Sequence, residues 1–331
     1  MQTNLGWFAC RVLALTTLLM TLGIAISADA QPRTPPKHIG VLTGGKWSEA
    51  TMQEFRRAFS EAGYVEGRDL VIEWRQASGN YDQLPQLAED LVQRKVDVIV
   101  VDSTLATRAL KHATSTVPIV MVFVSDPVGS GLVSSLAHPG GNVTGVSMMM
   151  TELSVKRLQL LKEALPQVTR VAVLWNPDTP AHNKVVQLLK AAAPSLSIEI
   201  NFVAVRTPEE LGRAFSTIRR AHAEALDVIE EPMFSTHRTT IFKLAAEARL
   251  PTIYWEKQFA VGGLMSYGAW EGDFFRLTVG YVDKILKGAN PSDLPIVQPT
   301  QFELVVNLKT AKALGITMPE SILLRANDII Q

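Results

Sequence analysis

The chain has 331 residues, with 32 basic and 32 acidic side chains and a formal charge of zero. That balance gives no polybasic surface for nucleic acid or an anionic membrane. The single cysteine, Cys10, excludes a disulfide framework within the chain.

The first thirty residues read as a secretory signal. Arg11 is their only basic side chain, residues 12–26 are apolar apart from Thr and Gly, and Ala28-Asp29-Ala30 places small residues where a signal peptidase cuts. The apolar core is too short for a comfortable membrane span. Cys10 precedes that core, whereas a lipoprotein cysteine follows it. Cleavage after Ala30 leaves 331 − 30 = 301 residues, enough for two lobes, and removes the cysteine. Residues 31–36, Gln-Pro-Arg-Thr-Pro-Pro, read as an extended tether. Beyond the signal no run of 18 apolar residues occurs, so the mature chain is expected to be soluble.

From residue 37 short β-branched runs alternate with helical patterns. Strands are predicted over 38–43, 70–75, 96–102, 117–124, 170–175, 198–205, 225–230, 251–255 and 264–267. Val98-Ile99-Val100-Val101 and Val120-Met121-Val122-Phe123 are apolar on successive residues, as in parallel strands covered on both faces. Between strands, Phe55, Ala58, Phe59 and Ala62 repeat at helical spacing before Gly63, as do Leu84, Leu87, Ala88, Leu91 and Val92. Pro139-Gly140-Gly141-Asn142 marks a turn before 143–147. The βα alternation runs once to about residue 125 and again from about 170, which predicts two open parallel sheets. The segment after a helix over 274–286 is too short for a third domain.

The enzymatic and nucleotide motifs fail on particular residues. Gly40 to Trp47 approaches the phosphate-cradling G-x-x-x-x-G-K-[ST] pattern, but Gly40 falls inside a strand and Trp47 stands where a magnesium-binding hydroxyl is needed. Gly129-Ser130-Gly131 lacks the third glycine of a dinucleotide fingerprint, and Gly145-Val146-Ser147-Met148-Met149 lacks the last glycine of a nucleophile elbow. The six histidines are scattered, with no metal-ligand spacing. No catalytic residue, metal or cofactor is predicted, and the chain is read as a binding protein. What remains are polar clusters at strand ends: 43–47, Asp102-Ser103-Thr104, Ser125-Asp126-Pro127, Asn176-Pro177-Asp178, Glu231 to Ser235, and Tyr254-Trp255. In open α/β sheets ligands bind at such ends, and a helix starting at Ser103-Thr104 suits a carboxylate.

The chain resembles the ABC-transporter substrate-binding family whose better-known members handle tryptophan and tyrosine. The marks are Gly63-Tyr64-Val65-Glu66-Gly67-Arg68-Asp69-Leu70, Gly79-Asn80-Tyr81-Asp82, Ser125-Asp126-Pro127-Val128-Gly129, Pro139-Gly140-Gly141-Asn142-Val143-Thr144-Gly145, Gly262-Gly263-Leu264-Met265-Ser266-Tyr267-Gly268 and Asn307 to Gly315. The resemblance implies an α/β fold of two doubly wound parallel-sheet lobes with an interlobe cleft, of the type I periplasmic-binding-protein kind, joined by three crossings. Lobe 1 would span 37–148 and lobe 2 149–267, with 268–298 returning to lobe 1 and 299–331 packing on lobe 2. It further implies the periplasmic component of an ABC importer, acting as a monomer with a permease in the inner membrane. A sensor module presenting its ligand to a membrane receptor is the alternative. By position the pocket would draw on Trp47, Ser103, Thr104, Ser125, Asp126, Phe234, Tyr254 and Tyr267. Amino-acid binders of the family tend to carry an acidic residue shortly after the proline equivalent to Pro232. Here Met233-Phe234 follows it, and Glu231 is expected to point elsewhere, which favours an aromatic or other small carboxylate without an amine.

Overall fold

The computed structural model describes residues 35–270 and 274–331. The signal-like segment 1–30 and tether residues 31–34 lie outside the described residues. Lys37–Gln331 forms a single compact unit.

Lobe 1 is built on five parallel strands: β1 (Lys37–Thr43), β2 (Leu70–Gln76), β3 (Val98–Val101), β4 (Ile119–Val124) and β5 (Val143–Ser147). Their order is β2-β1-β3-β4-β5. Helix α1 (Glu49–Glu61) starts at Ser48, whose side chain accepts from the Thr51 N–H at 3.1 Å. It is followed by Gly63 at φ 92°, a conformation that glycine reaches without strain. Helices α2 (Leu84–Gln93) and α3 (Thr104–Ala113) cover one face, against Ile99 and Val101 of β3. Phe55 and Phe59 of α1 cover the other, against Val98 and Val100. Successive β3 residues therefore enter opposite cores, as the unbroken apolar run requires. Each such buried Val or Ile contributes about 1.5–3 kcal/mol relative to exposure.

Helix α4 (Met150–Ala164) opens lobe 2, whose sheet contains β6 (Arg170–Trp175), β7 (Glu199–Ala204), β8 (Ala225–Val228), β9 (Thr252–Tyr254), β10 (Met265–Ala269), β11 (Phe302–Asn307) and β12 (Asp328–Ile330). The order is β12-β11-β10-β9-β8-β6-β7, and only β10 and β11 pair antiparallel. Val171 and Val173 of β6 face α4 and α5 (Pro180–Ala192), while Ala172 and Leu174 face α6 (Leu211–Arg220) and the helix α8 (Arg238–Glu247). The short helix α7 (Pro232–Thr236) lies between β8 and α8. Helices α10 (Leu308–Leu314) and α11 (Glu320–Leu323) lie between β11 and β12. The strand β12 has no counterpart among the sequence-predicted elements.

After β10 the chain supplies α9 (Phe274–Leu286) to lobe 1, where Phe274, Val279 and Val282 join the core that holds Phe55 and Val122. Val297 then runs beside β5, accepting from the Ser147 N–H at 2.9 Å and donating to the Gly145 carbonyl at 3.0 Å. From there the chain passes back to β11. The two sheets with helices on both faces are the expected fold class. Among the described residues, no helix is long and apolar enough to cross a membrane.

One irregularity serves the cleft. The β4–β5 register shifts between Met121 and Val124, and Phe123 takes φ 54°. A left-handed bulky residue is strained backbone, here at a strand end that faces the other lobe. The bulge turns the Phe123 ring out of the alternating pattern and into the cleft.

Candidate ligand-binding site

The lobe 1 wall is organised around Asp102, at the end of β3. Its carboxylate accepts from the Gly44 N–H at 2.8 Å and the Trp47 indole N–H at 2.7 Å, fixing the loop after β1. Trp47 then packs edge-on to Phe55, Trp74 and Phe123 and tilted against Phe275. Ser103 caps α3, its side chain accepting from Ala106 N–H at 3.3 Å. Thr104 and Leu105 are the first two residues of that helix, so their N–H groups have no intrahelical partner. Both line the cleft.

The lobe 2 wall comes from the segment after β8. Glu231 is 1% exposed, and its carboxylate accepts from the Thr179 hydroxyl at 2.8 Å. His182 of α5 supports this segment, its Nδ1 accepting from the Asn176 N–H at 3.1 Å and its Nε2 donating to the Glu230 carbonyl at 2.8 Å. Burial holds that imidazole neutral, lowering its pKa to about 4.

The walls meet through hydrogen bonds. The Tyr81 hydroxyl of lobe 1 donates to Glu231 and accepts from the Met233 N–H at 3.0 Å. The Ser125 hydroxyl donates to Glu230 at 2.7 Å, and the Lys46 N–H donates to the Thr236 hydroxyl at 2.9 Å. The lobes are closed on each other.

Two connected spaces remain between them. An inner chamber of ≈ 20 Å³ is lined by Tyr81, Asp102, Thr104, Ser125, Thr179 and Glu231, among others. That is room for about one water-sized group. A side chamber of ≈ 820 Å³ shares Asp102, Phe123, Glu230 and Pro232 with it and adds Trp47, Trp255, Trp270 and Phe275. This is the size of a small-molecule site, and its rings stand among many charged side chains, including Arg57, Arg238, Glu256, Lys257 and Glu303. Desolvation pushes the acids of the inner chamber up: Asp102 to about 6, Glu231 to about 7 and Glu230 to about 8. Glu256, on the side chamber, is likewise pushed up to about 7 by burial. A bound cation would reverse that penalty. Among the described residues, no group of His, Cys, Asp and Glu side chains is arranged to hold a metal ion.

Of the eight residues expected at the pocket, Trp47, Ser103, Thr104 and Ser125 line one chamber or the other. The other four line neither. Asp126, at φ 37°, turns its carboxylate back to accept from the Gly129 N–H at 2.8 Å and so caps its own turn. Phe234 and Tyr254 are fully buried in the core, Tyr254 against Phe242 and Phe259. Tyr267 rests on Phe302 at the edge of the α4-side core. Their aromatic surface packs within lobe 2. Glu231 is the converse correction: it points into the cleft. Tyr81, Phe123, Thr179, His182 and Glu230 also line the inner chamber. Only Tyr81, inside the Gly79-Asn80-Tyr81-Asp82 motif, carried a sequence signal.

Comparison with known proteins agrees with this architecture. Residues 41–330 match the family model described as ABC transporter substrate binding protein. A tyrosine-binding protein of Clostridioides difficile (strain R20291) is 28% identical over 262 residues, covering 78% of this chain and 75% of the relative. A structure of an ABC domain from Streptococcus pneumonia in complex with L-Trp superposes with TM-score 0.80 at 27% identity, covering 88% of this chain and 100% of that one. The ligand-free, open structure of a substrate-binding protein with adhesive properties from Clostridium difficile gives only 0.62 at 26% identity, over 89% of this chain and 99% of that one. At similar identity the better fit is to the ligand complex, as expected of a closed pair of lobes. The family is one of solute-binding proteins and not of enzymes. The chain belongs to the ABC transporter substrate-binding protein family.

Proposed function

We propose that this protein is the exported solute-binding component of an ABC importer and that it captures a small aromatic α-amino acid between its lobes. The observation that supports this is the pairing of a water-sized chamber that holds three carboxyls with a larger chamber that carries five aromatic rings among charged side chains. An ammonium group matches the first in size and charge. A ring matches the second, and the start of α3 offers two free N–H groups to a carboxylate. The relatives that bind tyrosine and tryptophan support the same class of ligand. Closure of the lobes then presents the complex to a permease in the inner membrane. The amine, disfavoured from sequence because no acid follows Pro232, is restored by Glu230 and Glu231.

The test uses exported protein, whose intact mass is expected to show a chain beginning at Gln31. Saturation with L-tyrosine or L-tryptophan at about 100 times the Kd should stabilise it by about 2.7 kcal/mol. For a chain of this size that raises the melting temperature by roughly 5 °C. Sugars and polyamines should leave it unmoved. Stabilisation by a sugar, with no response to any aromatic amino acid, would refute the reading.

A further inference from the structure

Two segments of lobe 1 seat on one short element of lobe 2. Gly44, Gly45 and Lys46 follow β1, Gly79 and Tyr81 follow β2, and both segments reach α7. The Lys46 N–H donates to the Thr236 hydroxyl at 2.9 Å, and the Tyr81 hydroxyl accepts from the Met233 N–H at 3.0 Å. Approaches this close to backbone leave little room for side chains.

The three glycines answer to different constraints. Gly79 stands at φ 87°, so its own turn calls for glycine. A Cβ on Gly44 would come 2.6 Å from the Ser103 hydroxyl oxygen, so packing within lobe 1 excludes a side chain there. Gly45 lies outside the left-handed region, at a φ that any residue adopts. A Cβ on Gly45 would meet lobe 2: the Pro232 carbonyl oxygen at 2.7 Å, the Pro232 Cβ at 3.1 Å and the Thr236 hydroxyl oxygen at 3.1 Å. These are its three nearest atoms, and all belong to α7. The Pro232 oxygen is backbone and accepts from the Thr236 hydroxyl at 3.0 Å, so it cannot rotate aside as a side chain can. The closed arrangement of the lobes therefore explains glycine at 45, where the turn itself does not.

We propose that Gly45 is a closure-determining residue: bare backbone at this position lets the loop after β1 seat on α7, and a side chain there holds the lobes apart. This rests on the reading that a ligand is captured between closing lobes, whichever ligand that is. A ligand can draw the lobes together only by its differential affinity for the closed state. A side chain at position 45 opposes that closure, so it lowers the affinity through the interface between the lobes.

Closure can be followed without a ligand, by cross-linking. A Cβ on Gly79 would lie 3.5 Å from the Met233 Cβ, within the range that a disulfide spans. Gly79→Cys combined with Met233→Cys should thus form a disulfide only when the lobes close, and Cys10→Ser removes the one other thiol. Adding Gly45→Ala is expected to slow cross-linking at least about tenfold, as suits a steric overlap of this kind, and Gly45→Val to slow it further. The melting temperature of Gly45→Ala should match wild type, because lobe 1 itself accommodates the methyl group. L-Tyrosine should bind Gly45→Ala about tenfold more weakly. A cysteine pair that fails to cross-link in the parent, or equal rates with and without Gly45→Ala, overturns the proposal. If the cysteine pair does not fold, small-angle scattering of Gly45→Ala with saturating L-tyrosine takes its place, and compaction equal to wild type overturns it. Slowed cross-linking, with no L-tyrosine binding by wild type, would instead count against the ligand assignment and leave the role of Gly45 standing.

Discussion

Replacing Glu231 with Gln is expected to lower the affinity for L-tyrosine about 100-fold near pH 7, equivalent to about 2.7 kcal/mol. Glu231 is almost fully buried and is held by Thr179 from its own lobe and Tyr81 from the other. An ammonium entering the inner chamber would find there a desolvated carboxylate, and charge-assisted bonds of that kind are the strong ones. Glutamine keeps the size and one acceptor but not the charge, so the two hydroxyl contacts persist in part. The ligand-free fold should therefore not suffer. The ionised acid is disfavoured by burial, and removing it relieves that cost. Calorimetry and thermal melting together check this. A loss below tenfold, with the melting temperature unchanged, would place the amine elsewhere in the cleft.

The second large effect is on pH. Asp102, Glu231 and Glu230 have pKa values pushed up by burial, to about 6, 7 and 8. A cationic ligand favours their ionised forms, so binding expels protons wherever the free protein still holds them. If one proton is released, affinity rises about tenfold per pH unit between roughly pH 5.5 and 7.5 and then levels off. Stability of the ligand-free closed protein runs the other way. The unfolded chain ionises these groups from about 4, so the folded state binds more protons above that point. Their stabilising contribution is complete below the unfolded pKa and is lost as pH climbs through 6, 7 and 8. The melting temperature without ligand should fall across this window, while ligand-bound protein changes less. Calorimetry in buffers of different ionisation enthalpy counts the released protons. Affinity that is flat from about pH 5.5 to 8 would remove the acids from ligand binding.

Sequence carried the lobes further than the site. Val98-Ile99-Val100-Val101 can satisfy two apolar faces only as a covered parallel strand, and it does so. The helix start at Ser103 was equally plain, because a capping hydroxyl and a strand end are local features. Direction was not local. Phe234 and Tyr254 look like ligand platforms at strand ends, but a large ring gains as much from the core as from a pocket, and lobe 2 takes both inward. Glu230 and Glu231 are adjacent acids whose orientation depends on Ser125 and Tyr81 in the other lobe, each more than a hundred residues away in the chain. Phe123 reaches the cleft only through a bulge with positive φ, which strand periodicity gives no reason to expect.

The central claim is that the closed cleft recognises both charged ends of an aromatic amino acid. Calorimetry of wild-type protein with L-tyrosine, with tyramine and with 3-(4-hydroxyphenyl)propionate tests it most directly, because the last two each keep the ring and lose one charge. L-Tyrosine is expected to bind with a Kd near 1 µM, about 8 kcal/mol. Both half-ligands should bind at least about 30-fold more weakly, because each leaves a desolvated polar wall of the cleft unpaired. Equal affinity for the propionate and L-tyrosine would contradict the account, for it would mean that Glu230 and Glu231 receive no ammonium.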